Sequence, residues 1–491
     1  MKGLLAWTLA KGDARRRQLT TTYFDTPDHK LREAGLSLRI REVEGRFVQT
    51  VKTRNGASLF DRCEWEAAIK DRRPCPDQMA DTPIKAILGE DAVAGLVSLF
   101  ETRIERTQLD VTCSGAVIEL SLDHGEIVAG ERREAVCEVE LELKSGAVPA
   151  LFELAKKLGR EAVLRLSFES KSERGYRLAG RDTLTALESE RAQITRETSA
   201  GDAFRRVVRS CLGQITGNAE RLTRVRSPDA LHQLRVGLRR LQAAFKVFQS
   251  LVRDAQFAAL YGEARWLAAS LNRARDLDVL LSAISPTNGD NSDDDLSLSA
   301  LRHRLMQHQA QAYDDALAAI SSNRFGQFLL DLAAWTETGD WTVQGHKTAV
   351  ARRSQAVATL AKHRLNHLRK SAIEAGHSFA KLDENARHSL RIKVKKLRYA
   401  ADFFVQAVSP AKSQPAMQFM ERLRKLQDGL GTLNDIAVAR DTAMLVVGEP
   451  GGAGAGFAAG RHIGLREATI PALVASTAEA FDAFRKAKRF W

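Results

Sequence analysis

Three features are scarce in this sequence, and each scarcity narrows the class of protein. Aromatic residues make up 6% of the 491 residues, and the five cysteines form no C-x-x-C pair. Scattered cysteines of this kind are typical of free thiols in a reducing cytosol rather than of a disulfide framework. No apolar run reaches the roughly 18 residues that a membrane span requires. We therefore expect a cytoplasmic globular protein without a membrane span.

Positive charge is abundant but unevenly distributed. The chain has 74 lysines and arginines against 61 acidic residues, a formal net charge of +13. From Arg196 onward there are 43 basic and 29 acidic residues, which leaves 31 basic and 32 acidic residues for the part before it. The C-terminal part therefore carries all of the excess and predicts a polyanionic partner, such as polyphosphate, nucleic acid or an anionic membrane.

One basic stretch occurs twice in the C-terminal part. HQLRVGLRRLQAAFKVF, from His232, aligns without a gap with HSLRIKVKKLRYAADFF, from His388. Each copy is followed by a second echo, ARDLDVL after the first and LNDIAVA after the second. Self-similarity of this kind indicates a duplicated supersecondary unit.

Each copy is amphipathic when it is placed on a helix at about 100° per residue. In the first copy Leu234, Leu238 and Phe245 share one face, and His232 and Arg235 lie opposite. A single helix of this kind is usually a solvated surface helix. Two copies without interspersed glutamate favour another interpretation, in which the basic faces oppose each other and bind a repeating polyanion.

The N-terminal part alternates with period two and therefore predicts β-strands. SLRIRE, RFVQTVKTR, RCEWEA, VIELSLDHG and CEVELELKSG each place charged residues on one face. A polar face built from charges of both signs on about seven strands predicts a closed barrel with a charged lumen. Basic strands would hold phosphates, and carboxylates would hold hard cations such as Mg²⁺ or Mn²⁺. A solvated sheet edge gives the same pattern on any single strand.

These segments also carry a family resemblance. YFDT, LRIR, TVK, RCEWE, LDHGEI, CEVELELKSG and SKSERGY resemble, in order and spacing, a CYTH domain, the triphosphate tunnel metalloenzyme fold. The two basic copies, their echoes and the terminal KRFW resemble a CHAD domain, and the combination resembles bacterial inorganic triphosphatases. The resemblance implies an eight-stranded antiparallel tunnel that hydrolyses triphosphate with a divalent metal, followed by a pseudosymmetric helical domain that binds inorganic polyphosphate.

The resemblance also implies roles for particular residues. The implied metal ligands are Glu64, Glu66, Glu119, Glu138 and Glu140. The implied triphosphate ligands are Arg39, Arg41, Lys52, Arg62, Arg106 and Lys171. The implied polyphosphate ligands are His232, Arg235, Arg239, Arg240, His388, Arg391, Lys395 and Lys396. No general base is assigned in the tunnel, because its implied ligands include several carboxylates and no histidine.

The start of the sequence departs from the family pattern. The family's first strand carries E-x-E-x-K with two metal-ligating glutamates, and MKGLLAWTLAKGDARRR contains no such motif. We therefore expect that the first strand of the tunnel is missing and that the natural chain starts further upstream. This leaves an alternative function, a non-catalytic polyphosphate-binding protein with an inactive tunnel.

The expected fold is α+β with two domains, an antiparallel β-tunnel without its first strand and an all-α duplicated helical bundle. We expect the tunnel domain over 1–180, a linker over 181–200 and the helical domain over 201–491. Within the latter, repeat one would span 201–285, repeat two 300–445 and a final helix 460–491. Nucleic acid is disfavoured as a partner because binding to single strands relies on stacking, and Tyr399 alone supplies an aromatic ring beside the basic residues.

Overall fold

A computed structural model describes residues 14–53, 63–89, 95–180, 185–284, 293–409, 413–447 and 453–491. The chain divides into two compact units, Met1–Thr185 and Ala186–Trp491. The first unit is built on a β-sheet and the second is helical, so the predicted α+β architecture is confirmed.

The N-terminal unit contains one antiparallel sheet. Its strands are β1 (Arg15–Asp25), β2 (Leu36–Val43), β3 (Arg46–Thr53), β4 (Glu64–Ile69), β5 (Val97–Cys113), β6 (Ala116–Ala129) and β7 (Arg132–Ser145). Their spatial order is β4-β3-β2-β1-β5-β6-β7. Two hairpins, β2–β3 and β5–β6, turn through the pairs Glu44-Gly45 and Ser114-Gly115, whose φ angles are all positive. Two consecutive positive φ angles are what a tight type I′ hairpin requires.

The sheet is open within the described residues, because β4 and β7 each pair with only one neighbouring strand there. The alternation of charges along the strands predicted closure into a barrel. Alternation determines which face of the sheet a residue occupies, but it does not determine which strands pair at the edges. The residues before position 14, at the end of the chain where the family pattern has its first strand, lie outside the described residues.

Short helices pack on both faces of the sheet. They are α1 (Lys30–Glu33), α2 (Ile84–Leu88), α3 (Val148–Glu161) and α4 (Lys171–Ala179), with a 3₁₀ turn at Pro76–Met79. Leu154 and Leu158 of α3 pack on Ile118 and Leu120, and all four are almost fully buried. One face of the sheet is therefore apolar, whereas the other holds the charged side chains beside an apolar patch of Tyr23, Phe100, Ile104 and Ile127, on which Tyr176 of α4 packs.

The C-terminal unit is a bundle of helices. They are α5 (Ala200–Arg224), α6 (Pro228–Val247), α7 (Gln249–Val252), α8 (Phe257–Ser270), α9 (Asn272–Ala283), α10 (Asp293–Ser321), α11 (Asn323–Thr338), α12 (Asp340–Val343), α13 (Lys347–Ser354), α14 (Val357–Ala375), α15 (Glu384–Val408), α16 (Gln414–Val447), α17 (Ala453–Glu467) and α18 (Ile470–Arg485). A 3₁₀ turn, Phe379–Lys381, precedes α15. Among the described residues, no helix combines the length and the apolarity that crossing a membrane demands.

The duplication is visible in how the two halves of this unit pack. The two copies of the basic stretch form most of α6 and the central part of α15, and α5 and α14 precede them and pack against them. The residues just before α5 and α14 form an antiparallel bridge, Ser199 with Ala356. The matched phenylalanines Phe248 and Phe404 contact each other, with ring centroids 5.5 Å apart. Corresponding positions of the two copies therefore meet.

Two helix boundaries of the C-terminal unit lie near the ends of segments expected from the sequence. The described residues between Thr185 and Ser199, inside the expected linker, contain no helix, and α5 begins at Ala200. The expected final helix over 460–491 is replaced by α17 and α18. Pro471 lies in the first turn of α18, where its missing N–H costs nothing and its fixed φ favours a new helix start.

Candidate functional sites

Three neighbouring strands and α4 form a cluster of opposite charges on the polar face of the sheet. Arg106 on β5 donates two hydrogen bonds to Asp123 on β6, at 2.7 and 2.6 Å, and a third to Glu140 on β7 at 2.5 Å. The Lys171 ammonium lies 2.8 Å from Asp123, 2.6 Å from Glu138 and 2.8 Å from Glu140. We call Arg106, Asp123, Glu138, Glu140 and Lys171 the acidic cluster with its cations.

The position of Lys171 depends on local structure at the start of α4. Ser170 and Glu173 form a capping box, in which each side chain bonds the other residue's backbone N–H. Further along α4, the Tyr176 hydroxyl donates to the fully buried Asp25 at 2.9 Å. Arg174 donates to Glu134 at 2.7 Å and to Glu138 at 2.6 Å. The cap and the buried anchor fix α4 so that its cations reach β7.

The charges of the cluster strongly shift the pKa of two of its members, Glu140 and Lys171. Burial alone would raise the pKa of Glu140, but Lys171 and Arg106 lower it to about 2. Burial likewise lowers the pKa of Lys171, but the carboxylates of Glu140, Asp123 and Glu138 raise it well above its ordinary value. Glu140 and Lys171 are therefore both charged at neutral pH.

The carboxylates of the cluster have the chemistry and spacing of a cation site. One oxygen from each of Asp123, Glu138 and Glu140 lies within 4.8 Å of the others. All three already converge on one positive charge, the Lys171 ammonium. Carboxylate oxygens are the ligands that hard divalent cations such as Mg²⁺ and Mn²⁺ prefer. The residues present thus fit a divalent cation.

A second mixed-charge group lies on β2, β3 and β4. The Lys52 ammonium is 2.7 Å from Glu64, and Arg39 lies 3.2 Å from Glu64 and 3.9 Å from Glu66. Thr50 donates to Glu66 at 3.1 Å. Burial and the neighbouring Arg39 lower the pKa of Lys52 despite its contact with Glu64. This half of the polar face holds closely spaced cations that an anion would stabilise.

Arg41 connects the two halves of the polar face. Its side chain donates a hydrogen bond to the Thr21 hydroxyl at 3.3 Å. Among the described residues, Arg41 has no carboxylate within 4.0 Å. Burial and Arg39 lower its pKa to about 10, and both Arg106 on β5 and Glu140 on β7 influence that pKa. In a flat sheet β2 and β7 would stand about 19 Å apart, at about 4.8 Å per strand. The sheet is therefore curved around its polar face.

In the helical unit, α6 and α15 bring four cations together. Arg239 lowers the pKa of both Arg391 and Lys395, and Arg235 also acts on Lys395, so side chains of the two copies are neighbours. Within the described part of the chain, Arg239 and Lys395 make no hydrogen bond or ion pair. Arg391 reaches Asp435 only at 4.0 Å, and its Nε is buried without a partner. We call Arg235, Arg239, Arg391 and Lys395 the basic cluster.

The basic cluster disfavours its own charge. Burial, then Arg239 and Arg391, lower the pKa of Lys395 to about 7. Burial and Arg239 lower the pKa of Arg235 to about 10. Burial, with Arg275 and Arg239, lowers the pKa of His232 to about 4, so this histidine is neutral at pH 7. Shifts of this sign mark positive charges that lack sufficient compensation.

Comparison with known proteins assigns both units. Residues 6–176 match the CYTH domain family, and residues 206–443 match the CHAD domain family. The chain carries a CYTH domain followed by a CHAD domain. The crystal structure of the CHAD domain from the plant Ricinus communis is 26% identical with a TM-score of 0.53, over 62% of this chain and 99% of that chain.

A curated relative has a named activity. An inorganic triphosphatase of Haemophilus influenzae is 34% identical over 176 residues, which are 34% of this chain and 47% of the relative. The chain thus spans about half the length of this curated relative.

The CYTH domain does not bring all of the expected residues together. Glu119 lies on the same face of β6 as Asp123 but four residues along, about 13 Å away at the strand rise, and it contacts Lys144 at 3.0 Å. Arg62 lies outside the described residues. Asp123, which the sequence pattern placed on the charged face without assigning it as a ligand, is central to the cluster. Arg174, which the sequence did not single out, contacts Glu138 of the cluster. Alternation along β6 places Asp123 on the charged face, but only the strand register pairs it with both Arg106 and Glu138.

In the CHAD domain, some expected residues lie outside the basic cluster. Arg240 is buried and donates to Gln214 at 3.0 Å, and its guanidinium lies over the Phe403 ring. The pKa of its counterpart Lys396 is lowered by burial and by Lys246 rather than by the basic cluster. His388 is exposed and hydrogen-bonds Asn434 at 2.9 Å.

The sequence analysis missed the acidic neighbours of the basic cluster. Asp276 and Asp435 occupy corresponding places in the two echoes, and both influence the pKa of members of the cluster. The repetition of an aspartate at matched places was the signal that could have revealed them. Two carboxylates beside four cations leave the group positively charged.

Proposed function

We propose that the CYTH domain hydrolyses inorganic triphosphate with a divalent cation, Mg²⁺ or Mn²⁺, and that the CHAD domain binds inorganic polyphosphate. The observation that carries the first part is the acidic cluster with its cations on a curved polar face. The name of the Haemophilus influenzae relative, inorganic triphosphatase, supports the choice of substrate. The free thiols of all five cysteines fit a cytosolic protein, at polyphosphate granules or free.

The polar face of the CYTH domain offers two complementary sets of groups. Arg39, Arg41, Lys52, Arg106 and Lys171 supply the positive charges that neutralise phosphoryl oxygens in phosphoryl transfer. Asp123, Glu138 and Glu140 would hold the cation. A bound divalent cation polarises a phosphoryl oxygen and lowers the pKa of a bound water.

The cations of the polar face would bind triphosphate by exchanging their carboxylate partners for phosphate oxygens. Arg106 and Lys171 are now neutralised by carboxylates, and triphosphate oxygens would take the place of those carboxylates. Arg41 has no anionic partner among the described residues and can accept phosphate without breaking an ion pair. Arg39 sits close enough to Lys52 to lower the pKa of the ammonium, so an anion between the two side chains would relieve the repulsion. These residues orient the chain, and no residue is assigned as general base.

In the CHAD domain the basic cluster supports polyphosphate binding. Its four cations come from two helices, and the described residues offer only one weak ion pair to them, Arg391 with Asp435 at 4.0 Å. A linear polymer with a negative charge on every unit would neutralise several of them at once and release its counterions. His232 would add a hydrogen bond rather than a charge at neutral pH, because its pKa is about 4.

The alternative is a polyphosphate-binding protein whose sheet domain is catalytically inactive. One observation favours it: every carboxylate of the acidic cluster is already paired with a cation of the chain. An inactive domain could be held together by such pairs alone. Nucleic acid is a weaker candidate, and competition of long polyphosphate against DNA for the CHAD domain tests it.

Phosphate release from tripolyphosphate separates the two functions. We expect release by the full chain with Mg²⁺ or Mn²⁺, abolished by EDTA. The double substitution E138Q and E140Q should lower kcat about 100-fold or more, because losing charge stabilisation at a reacting phosphoryl group costs this much. The control is E142Q on the same face of β7, where Glu142 contacts only Lys144 among the described residues. Retention of polyphosphate without any release from tripolyphosphate would support the alternative.

A further inference from the structure

The CHAD domain has a second group of arginines that shares no residue with the basic cluster. A pocket of about 380 Å³ opens where α7, α13 and α14 meet. Its polar lining consists of Gln249, Ser250, Arg253, Gln344, Arg352 and Arg364. Among the described residues that line it, none is acidic, so the lining carries three formal positive charges.

Two of the arginines converge on one residue from different helices. Arg364 of α14 donates to the Ser250 hydroxyl at 2.9 Å, and Arg352 of α13 donates to the Ser250 carbonyl oxygen at 3.4 Å. Both acceptors are neutral. Each of these two cations is therefore held in place at the pocket without being neutralised there.

Two arginines of the pocket, Arg253 and Arg364, have hydrogen-bond donors without a partner among the described residues. The Nε of Arg364 is buried and has no hydrogen-bond partner. Arg253 makes no hydrogen bond or ion pair within the part of the chain that the structure describes. A buried donor without a partner is costly, and an incoming acceptor would remove that cost.

Solvated surface arginines are the simplest explanation of such a group, and Arg253 and Arg352 are indeed exposed. That explanation does not account for the concave shape or for the orphan Nε–H of Arg364. Guanidinium groups that present several N–H donors to one space match the oxygens of a phosphoryl group. We propose that this pocket binds a phosphoryl group, supplied either by free orthophosphate or by the end of a polyphosphate chain.

Equilibrium dialysis of the full chain with labelled orthophosphate, tripolyphosphate and long-chain polyphosphate tests the proposal. R253Q with R364Q removes two of the three charges. S250E leaves all three arginines in place and adds a carboxylate next to Arg364, which would occupy the site internally. R265Q is the matched control, since Arg265 is an exposed arginine of α8 outside both groups. Circular dichroism verifies that each variant is folded.

If the source is free phosphate, both pocket variants should lose one orthophosphate per chain or bind it at least about tenfold more weakly, the effect of losing charge-assisted hydrogen bonds. If the source is a chain end, orthophosphate binding should be unaffected and polyphosphate affinity should fall by the same factor. R265Q should bind all three ligands as tightly as the unmodified chain does. The proposal is overturned if both pocket variants bind all three ligands as the unmodified chain does, or if only R239Q with K395Q, in the basic cluster, changes binding.

Discussion

Two lysines show how differently the two domains hold positive charge. Lys171 of the CYTH domain lies within 2.8 Å of three carboxylates, and its pKa is raised. Lys395 of the CHAD domain lies among arginines, and its pKa falls to about 7. In the first site three carboxylates surround two cations, Arg106 and Lys171, which must exchange partners to bind an anion. The second is uncompensated and gains stability from any anion that enters.

This difference fits the two functions proposed for the domains. A site of paired charges offers carboxylates to a metal ion and cationic groups to phosphate, and metal-assisted hydrolysis needs both. A site of uncompensated positive charge needs no reactive groups. Its affinity for a polyanion comes from charge neutralisation and counterion release. The comparison therefore predicts that the CHAD domain responds strongly to loss of charge and to pH, whereas the CYTH domain responds to loss of a carboxylate.

The largest expected effect comes from reversing charge in the basic cluster. R239E together with K395E should weaken polyphosphate binding about 100-fold or more, because two charge-assisted contacts become repulsive. Neither side chain makes a hydrogen bond among the described residues, so the fold should persist. Polyphosphate retention in a filter-binding assay measures the loss.

Arg265→Glu is the control for net charge, because it reverses an exposed arginine outside the cluster. Arg235 is less suitable for reversal, since it is buried and donates to the carbonyl oxygens of Leu271 and Asn272 at 3.0 and 3.1 Å. R265E changes the net charge by −2 and the double variant changes it by −4. If R265E lowered the binding free energy by half as much as the double variant, total charge and not the cluster would determine affinity.

A smaller effect is expected from pH. Lys395 has a pKa of about 7 when no anion is bound. A bound polyanion favours the charged form, so binding above pH 7 takes up a proton, and affinity should be about tenfold higher at pH 6 than at pH 8. The K395R variant stays charged throughout and should bind without this change between pH 6 and pH 8. Calorimetric titration at both pH values measures it, and an unchanged pH dependence in K395R would contradict the assignment to Lys395.

The smallest effect concerns the stability of the CYTH domain in acid. The pKa of Glu140 is lowered from 4.5 to about 2, so its contribution is present above pH 4.5 and is lost as the pH falls towards 2. The side chain is half-exposed, which limits the contribution to under about 1 kcal/mol. Urea unfolding of E140Q should show a deficit relative to the unmodified chain at pH 7 that shrinks at pH 3. A deficit that is the same at both pH values would mean that the carboxylate charge is not its source.

Much of the fold and part of the sites followed from sequence pattern. Period-two alternation identified the charged face of the sheet, and the repeated stretch identified the apolar faces of α6 and α15, whose residues Leu234 and Leu390 are fully buried. The same pattern could not distinguish Glu119 from Asp123, because residues on one strand face can lie far apart along the strand.

The sequence by itself determined the two domains, the duplication and the faces on which charge lies, because these depend on local periodicity. Only the tertiary structure decided which charges meet. Lys171 at the start of α4 reaches Glu138 of β7 although α3 and a connecting segment lie between them in the sequence. Arg253 shares a pocket with Arg352 and Arg364 although about 100 to 110 residues separate it from them. Such encounters depend on strand register and on helix packing, which no short stretch of sequence contains.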